Sequence, residues 1–419
     1  MAGFKIKSFI QKTQNYLETA KFIFFYNVFE RLTFFAFYVS IARYIDKEIF
    51  GFVVAVFALT NIVIALFDFG IPFYIQRESA FDFDAKSILI QSIYLKFILL
   101  IIFLLIPFLY FIKNVEYWLI IITISLINFF NALNQILVAY LNGRNKFKEN
   151  FFSIFYSRTP YFLLLILITI YKIDIHIVLF LVLLTLIIQL KFLLKFSDLS
   201  LISFIESRVE FSKIKLLLKN SYPFGLGLIF VMMYDRIDVL LIQKFLNNES
   251  VAIYSAAYSL YRNSSILSGI IILRVYNEFS KFFKEYRQID LLTLKTSGLI
   301  VVSLSLILIL IFIYGGEILI KLFYSYRFIQ SAEVLRLVSF AIPFMFLNNL
   351  TGVLLNSIHK EKISMLTTFL GLIINVILNL NLIPVYKLNG AVFATIGTEG
   401  FIFLIQGLFI YLFIKKIKN

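Results

Sequence analysis

The chain has no cysteine, only two histidines and six prolines, and charged residues fill just 15% of its 419 positions. Without cysteine there is no disulfide scaffold and no thiol nucleophile. His176 and His359 alone serve metal ligation and catalytic triads poorly. No Gly-rich phosphate loop with a following Gly-Lys-Ser/Thr is present, so the chain does not hydrolyse ATP through one. The 16 glycines and few prolines exclude collagen and low-complexity disorder. About 25% of residues are charged in ordinary soluble proteins, and a wetted surface needs them. What fills the space is apolar: 61% of residues are hydrophobic, including 51 Phe. The solvent implied is lipid. A net charge of +15 in such a chain calls for an explanation.

A hydrophobic run of roughly 17–25 residues crosses the bilayer core as a helix. Twelve such runs occur, at approximately 22–42, 50–70, 88–111, 117–140, 151–171, 175–194, 221–243, 251–276, 291–314, 332–357, 363–384 and 390–413. Strand-period alternation is missing, which argues against a transmembrane barrel. The first run follows Lys5, Lys7 and Lys12 without a small-residue cleavage site, so it is expected to remain as a span. The expectation is an all-α polytopic membrane protein. Placing the N-terminus in the cytoplasm puts twenty-five Lys and Arg at cytoplasmic ends and loops, nine outside and five deep in helices. Positive residues collect on the cytoplasmic side, so both termini are predicted there. Most of the positive excess is thus a topology signal and an attraction to anionic lipid headgroups, not a nucleic-acid footprint.

The longest cytoplasmic connection, 195–220, divides the spans into an N-terminal six-helix lobe, 1–194, and a C-terminal one, 221–419. Two echoes suggest a repeat. Ile41-Ala-Arg-Tyr-Ile-Asp-Lys-Glu48, followed by Gly51, matches Ile242-Gln-Lys-Phe-Leu-Asn-Asn-Glu249, followed by Ala252, at an offset of 201. Leu141-Asn-Gly-Arg-Asn-Lys146 matches Leu355-Asn-Ser-Ile-His-Lys360 at an offset of 214. Six spans per half, starting on the same side, make this a parallel repeat of the kind found in transporters.

The stretch Ala42-Arg-Tyr-Ile-Asp-Lys-Glu-Ile-Phe-Gly51 with Phe67-Asp-Phe-Gly-Ile71 resembles the span 1–2 region of polysaccharide flippases. Val251-Ala-Ile-Tyr-Ser-Ala-Ala-Tyr258 does so after span 7. Asn375-Val-Ile-Leu-Asn379 with Leu382-Ile-Pro384, Gly390-Ala391 and Ala394-Thr395 looks like the span 11–12 pattern of the Wzx-type O-antigen and capsule repeat-unit flippases. These belong to the multidrug/oligosaccharidyl-lipid/polysaccharide (MOP) exporter superfamily, which includes the MATE transporters. The resemblance implies two six-helix lobes around a V-shaped central cavity, working by alternating access in the bacterial inner membrane. The implied partner is an undecaprenyl-pyrophosphate-linked oligosaccharide, carried from the cytoplasmic to the periplasmic leaflet. A polymerase and other glycan-assembly proteins are the implied neighbours. Two lobes supply a cavity, so a monomer suffices.

The residues expected to carry transport are the charges buried in spans, because insertion of a charge at mid-bilayer costs about 2.5–3.5 kcal/mol. Five are basic: Arg31, Lys96, Arg158, Arg236 and Arg262. Four of the five are Arg, whose planar fork suits phosphate, and a cationic cavity fits an anionic cargo. Pairing with acids on other helices is the competing explanation. Tyr254, Tyr258 and Tyr261 share one helix face with Arg262, suiting either a sugar or contacts between helices. Glu30, Asp235, Asp238 and Glu399 are the deep acids, serving as proton or Na⁺ coupling sites or as counter-ions to the arginines. Asn128, Asn131 and Gln135, and likewise Asn375 and Asn379, read as polar contacts between helices. No cofactor is expected. Two alternatives to the flippase stay open: a MATE-like drug or cation antiporter, and a glycan-assembly component without transport activity. An enzymatic role has no support in these residues.

Overall fold

The computed structural model describes residues 2–81, 85–199 and 207–418. Within them the chain is helical, with short 3₁₀ turns. The helices are α1 (Ala2–Ala42), α2 (Lys47–Asp68), α3 (Ile71–Phe81), α4 (Ala85–Tyr110), α5 (Trp118–Gly143), α6 (Phe147–Tyr171) and α7 (Ile175–Phe196). After them come α8 (Phe211–Phe245), α9 (Asn248–Asn263), α10 (Ser265–Tyr286), α11 (Leu291–Tyr324), α12 (Ser331–Val338), α13 (Ile342–Ser357), α14 (Glu361–Tyr386) and α15 (Leu388–Lys418). Ten segments among the described residues are long and apolar enough to cross a membrane. The two other hydrophobic runs of the sequence are helical as well, in α8 and in α9 with α10. The chain is a multi-pass membrane protein. Part of the connection at 195–220 lies outside the described residues.

Local chemistry accounts for the breaks. α2 stops at Asp68 because Phe69 and Gly70 take positive φ (45° and 77°), and Pro72 then sits in the first turn of α3. The hydrophobic run at 251–276 is interrupted at Ser264, whose Oγ donates to the Tyr261 carbonyl at 2.6 Å. The run at 332–357 is two helices, α12 and α13, joined by a 3₁₀ turn at Ser339–Ala341, with Pro343 in the first turn of α13. Asp290 caps α11, accepting from the backbone of Leu292 and Thr293 at 3.0 and 3.1 Å.

The chain divides into two compact units. Unit 1 comprises Met1–Ile45 and Leu59–Leu228, and unit 2 comprises Asp46–Ala58 and Ile229–Asn419. In unit 1, α5 is the buried centre, with Ile120, Ile124, Ile127, Leu133 and Ile136 packed inside. Asn128 on it donates to Thr60 of α2 at 2.5 Å. In unit 2, α14 and α15 form an antiparallel pair on which α13 packs. A chain of polar contacts runs through it: Gln406 of α15 bridges Thr351 of α13 and Thr367 of α14. Each unit also carries one corresponding asparagine link. Asn134 of α5 donates to the Leu186 carbonyl of α7 at 3.1 Å, and Asn348 of α13 donates to the Glu399 carbonyl of α15 at 2.9 Å. These asparagines are 214 residues apart, the offset of the second sequence echo. In hydrocarbon, where apolar surface alone does not join helices, such bonds and close packing do.

Asp290 lies just ahead of α11. Burial pushes its carboxyl up, but bonds from the Thr293 hydroxyl and the Thr293 and Leu292 amides outweigh this and hold it below the ordinary value. A lowered folded-state value stabilises above the unfolded carboxyl range and is lost as pH falls through the folded value. Asp290→Ala is therefore expected to cost about 1 kcal/mol at neutral pH, measured as thermal unfolding in detergent, with the difference from wild type shrinking in acid.

Candidate functional site

The five deep cations separate into three kinds. Lys96, on α4 and 1% exposed, is ion-paired with Asp68 at the end of α2. Arg262, on α9, pairs with Asp235 of α8 at 2.7 Å and touches the Met345 sulfur. Arg158, on α6 and also 1% exposed, sits in a neutral cradle. Its Nη1 donates to Thr185 Oγ1 at 2.8 Å and its Nη2 to Gln189 Oε1 at 3.2 Å, both on α7. Arg31 and Arg236 differ from these. Arg31 is exposed on α1 and Arg236 is half-buried on α8, and neither meets an acid within 4 Å among the described residues. The Nε of Arg236, like that of Arg158, is buried with no hydrogen-bond partner among the described residues.

The acids separate in the same way. Asp235 has its guanidinium. Glu30 accepts from Gln135 at 2.5 Å and borders a 140 Å³ cavity of unit 1 lined also by Tyr26, Asn27, Asn142 and Asn150. A water occupies about 30 Å³ of liquid, so this polar space has room for several. Asp238 and Glu399 are 3% and 4% exposed, and their hydrogen-bond donors among the described residues are neutral. Asp238 accepts from Tyr254 Oη at 3.0 Å, Asn379 Nδ2 at 2.7 Å and Thr395 Oγ1 at 3.3 Å. Glu399 accepts from Tyr234 Oη at 3.0 Å, Tyr261 Oη at 3.4 Å and Asn348 Nδ2 at 2.6 Å.

The three tyrosines of the predicted polar face are together, with Tyr254 and Tyr258 stacked at 5.3 Å and Tyr261 5.3 Å further on. All three are buried. The Tyr254 and Tyr261 hydroxyls are used on Asp238 and Glu399, so they hold carboxylates inside unit 2. Around Asp238 the polar groups are mostly oxygens, from Asn375, Asn379, Thr395 and the Ala391 carbonyl that Thr395 reaches at 3.0 Å. Two amide atoms there, Asn375 Nδ2 and Asn379 Oδ1, are buried without partners among the described residues. Reversing the Asn379 amide would turn its oxygen toward the carboxylate, and amide orientation follows whatever sits between them. A set of mostly oxygen groups around one carboxylate, with the amide of Asn379 able to present its oxygen when reversed, suits a proton or a hard monovalent cation.

Several participants escaped the sequence reading. Thr185 and Gln189, four apart on the otherwise apolar α7, are the partners of Arg158, and their spacing was a usable signal. Tyr234 and Asn348, the donors to Glu399, gave none beyond being polar in an apolar run.

Removing one partner of a buried ion pair leaves an uncompensated charge. Lys96→Met is therefore expected to destabilise the protein by about 3 kcal/mol, and Asp68→Leu on top of it to recover most of that loss. Thermal unfolding of the four members of this cycle in detergent tests it; equal additive losses would mean the two residues are not coupled.

The fold has relatives among solved structures. An inward-facing multidrug resistance MATE family transporter of the MOP superfamily superposes with a TM-score of 0.72 at 16% identity, covering 92% of this chain and 95% of the other. The inward closed conformation of the lipid II flippase MurJ gives 0.65 at 16% identity, covering 90% and 86%. A MOP superfamily transporter from Pyrococcus furiosus gives 0.59 at 15% identity, covering 95% and 96%. At these identities the likeness establishes the fold, an all-helical MATE-like architecture. No curated protein matches the chain. The profile of the polysaccharide biosynthesis proteins does match it, over residues 17–283, and this protein belongs to that family.

Proposed function

We propose that this protein is a flippase that carries an undecaprenyl-pyrophosphate-linked oligosaccharide repeat unit from the cytoplasmic to the outer leaflet by alternating access. It would act as a monomer, with both termini in the cytoplasm as the charge bias expects. The family places the chain in polysaccharide biosynthesis, and a lipid II flippase shares its fold. The observation that carries the reading is the pair Arg31 and Arg236. Three of the five deep cations are neutralised or cradled within their own unit, whereas these two, one on α1 and one on α8, have no acid within 4 Å among the described residues. A charge kept unpaired at membrane depth needs an external counter-ion, and a pyrophosphate linked to a glycan supplies one. Guanidinium groups bind phosphate oxygens bidentately and stay charged throughout the cycle.

In this reading Arg31→Ala and Arg236→Ala each lower flipping of a fluorescent lipid-linked oligosaccharide in reconstituted vesicles by about tenfold or more, with insertion unchanged. Lys at either position recovers only part, because the fork is lost. Normal flipping by both Ala variants sinks the assignment, as does intact surface glycan in a deletion strain with no second flippase.

Asp238 is the best-supported coupling residue. A carboxylate held by Tyr, Asn and Thr can exchange a proton or cation without stranding a buried arginine. Asp238→Asn is expected to leave binding of the lipid-linked cargo intact and to abolish acceleration of flipping by an imposed proton or Na⁺ gradient. A variant that still responds to the gradient would place the coupling elsewhere.

A further inference from the structure

A cavity of about 580 Å³ in unit 1 takes no part in the sites described so far. Its size falls in the range of small-molecule sites, a few hundred to about 1,000 Å³. Lys86, Ser87 and Gln91 of α4 line one side, and Ser207, Arg208 and Glu210, just ahead of α8, line the other. Hydrogen bonds fix this second wall. Gln91, 3% exposed, donates from Nε2 to the Arg208 carbonyl at 2.8 Å and accepts from the Glu210 amide at 3.0 Å. Tyr94 Oη, also on α4, donates to the Ser207 carbonyl at 2.9 Å. The backbone of 207–210 is thus tied to α4 at three points, which holds the Arg208 and Glu210 side chains at the cavity.

Cations outnumber acids around it, and the acids are engaged. Glu210 pairs with Lys213 at 2.9 Å. Lys86 Nζ donates to the Asp198 carbonyl at 2.9 Å, while the Asp198 carboxylate meets Lys146 at 3.3 Å. Lys86 and Arg208 meet no acid within 4 Å among the described residues. Ser87 Oγ accepts from Lys213 Nζ at 3.2 Å, and a hydroxyl that accepts keeps its own proton to donate. Lys86 and Ser87 lie in the first turn of α4, the positive end of its dipole. An ammonium, a guanidinium and a hydroxyl around one polar space suit a phosphate-bearing anion.

The run Arg208-Val-Glu-Phe211 indicates what carries the phosphate. Arg208 and Glu210 line the cavity, whereas Val209 and Phe211 stand outside it and are 40% and 73% exposed. The cavity opens at the start of α4, a helix long and apolar enough to span the membrane, so it lies at headgroup depth. Apolar side chains at that depth sit beside acyl chains. A soluble phosphate makes no use of such a rim, and a lipid does.

We propose that this cavity is a specific site for the phosphate of an anionic phospholipid, held by Lys86, Arg208 and Ser87, with the acyl chains beside Val209 and Phe211. Diffuse attraction to a charged membrane surface needs no cavity and does not saturate; this site takes a single headgroup. All its residues belong to unit 1, and its occupancy can be measured without any transport cargo.

Native mass spectrometry of the full-length protein in a neutral detergent is expected to show saturable binding of one dioleoyl phosphatidylglycerol, with dioleoyl phosphatidylcholine about tenfold weaker or less bound still. Arg208→Gln is expected to weaken the phosphatidylglycerol step about fivefold, and Lys86→Gln combined with it roughly 30-fold. The control pair Lys281→Gln and Lys284→Gln removes the same charge from exposed lysines of α10 and leaves that step unchanged. Equal weakening by the two double variants, or equal binding of phosphatidylcholine, reduces the effect to diffuse charge or general lipid contact and overturns the site. Glycerol 1-phosphate displacing the lipid at equal concentration overturns the lipid assignment in favour of a soluble phosphate. Arg208 is exposed, so its single variant reads the site even where the double variant folds poorly. Failure of the flippase reading would leave this binding measurement untouched, because no oligosaccharide enters it.

Discussion

In hydrocarbon an ionised side chain has no water to fall back on, and this constraint orders the interior of the protein. Each buried charge must find an opposite charge, a set of dipoles, or a polar solute. The first solution is seen at Lys96–Asp68 and Arg262–Asp235. The second is seen at Arg158, cradled by Thr185 and Gln189, and at Asp238 and Glu399, held by tyrosines and asparagines. Among the described residues Arg31 and Arg236 use neither solution within their own units, and the functional reading stands on that difference. Composition alone could not separate these classes, because each helix shows only its own charges and the partners come from other helices.

What was legible in the amino-acid sequence follows from the same physics. Spans announce themselves because a run of some twenty apolar residues has no other stable place to be. α2 ends where Gly70 and Pro72 follow Asp68, since left-handed backbone and a missing amide cannot continue a helix. Long-range pairing was not legible. Tyr254, Tyr258 and Tyr261 lie on one face, and that face is turned on Asp238 and Glu399, two acids 161 positions apart in helices that the sequence pattern does not connect. The break at Ser264 escaped notice because serine is tolerated within helices, and its Oγ–carbonyl bond leaves no periodic trace. The assignment of residues 46–58 to unit 2 also ran against the order of the chain.

The internal echoes gain physical content from the asparagine links. Asn134 and Asn348 stand 214 residues apart, and each ties its helix to a backbone carbonyl, on α7 in one unit and α15 in the other. A backbone carbonyl as acceptor makes the link insensitive to side-chain drift on the partner helix. The side-chain arms have diverged accordingly. Asn134 reaches Gln189, which also serves Arg158, whereas Asn348 reaches the Glu399 carboxylate. One structural device thus feeds a cation cradle in unit 1 and an acid site in unit 2.

That divergence bears on which unit can couple to an ion. A carboxylate that answers a buried arginine is committed, since protonating it strands the guanidinium. Asp235 is in that position with Arg262. Asp238 is not, because its donors are neutral and remain satisfiable whether the carboxylate holds a proton, a cation or nothing but hydrogen bonds. Beside it Asn375 Nδ2 and Asn379 Oδ1 have no partner among the described residues, so one donor and one acceptor are unspent in this arrangement. A site of this kind can change occupancy while the surrounding helices keep their packing, which is the property a coupling residue needs. The ring contacts from Tyr254 through Tyr258 to Tyr261 place the donors of the Asp238 and Glu399 sites on a single helix, within two turns of each other.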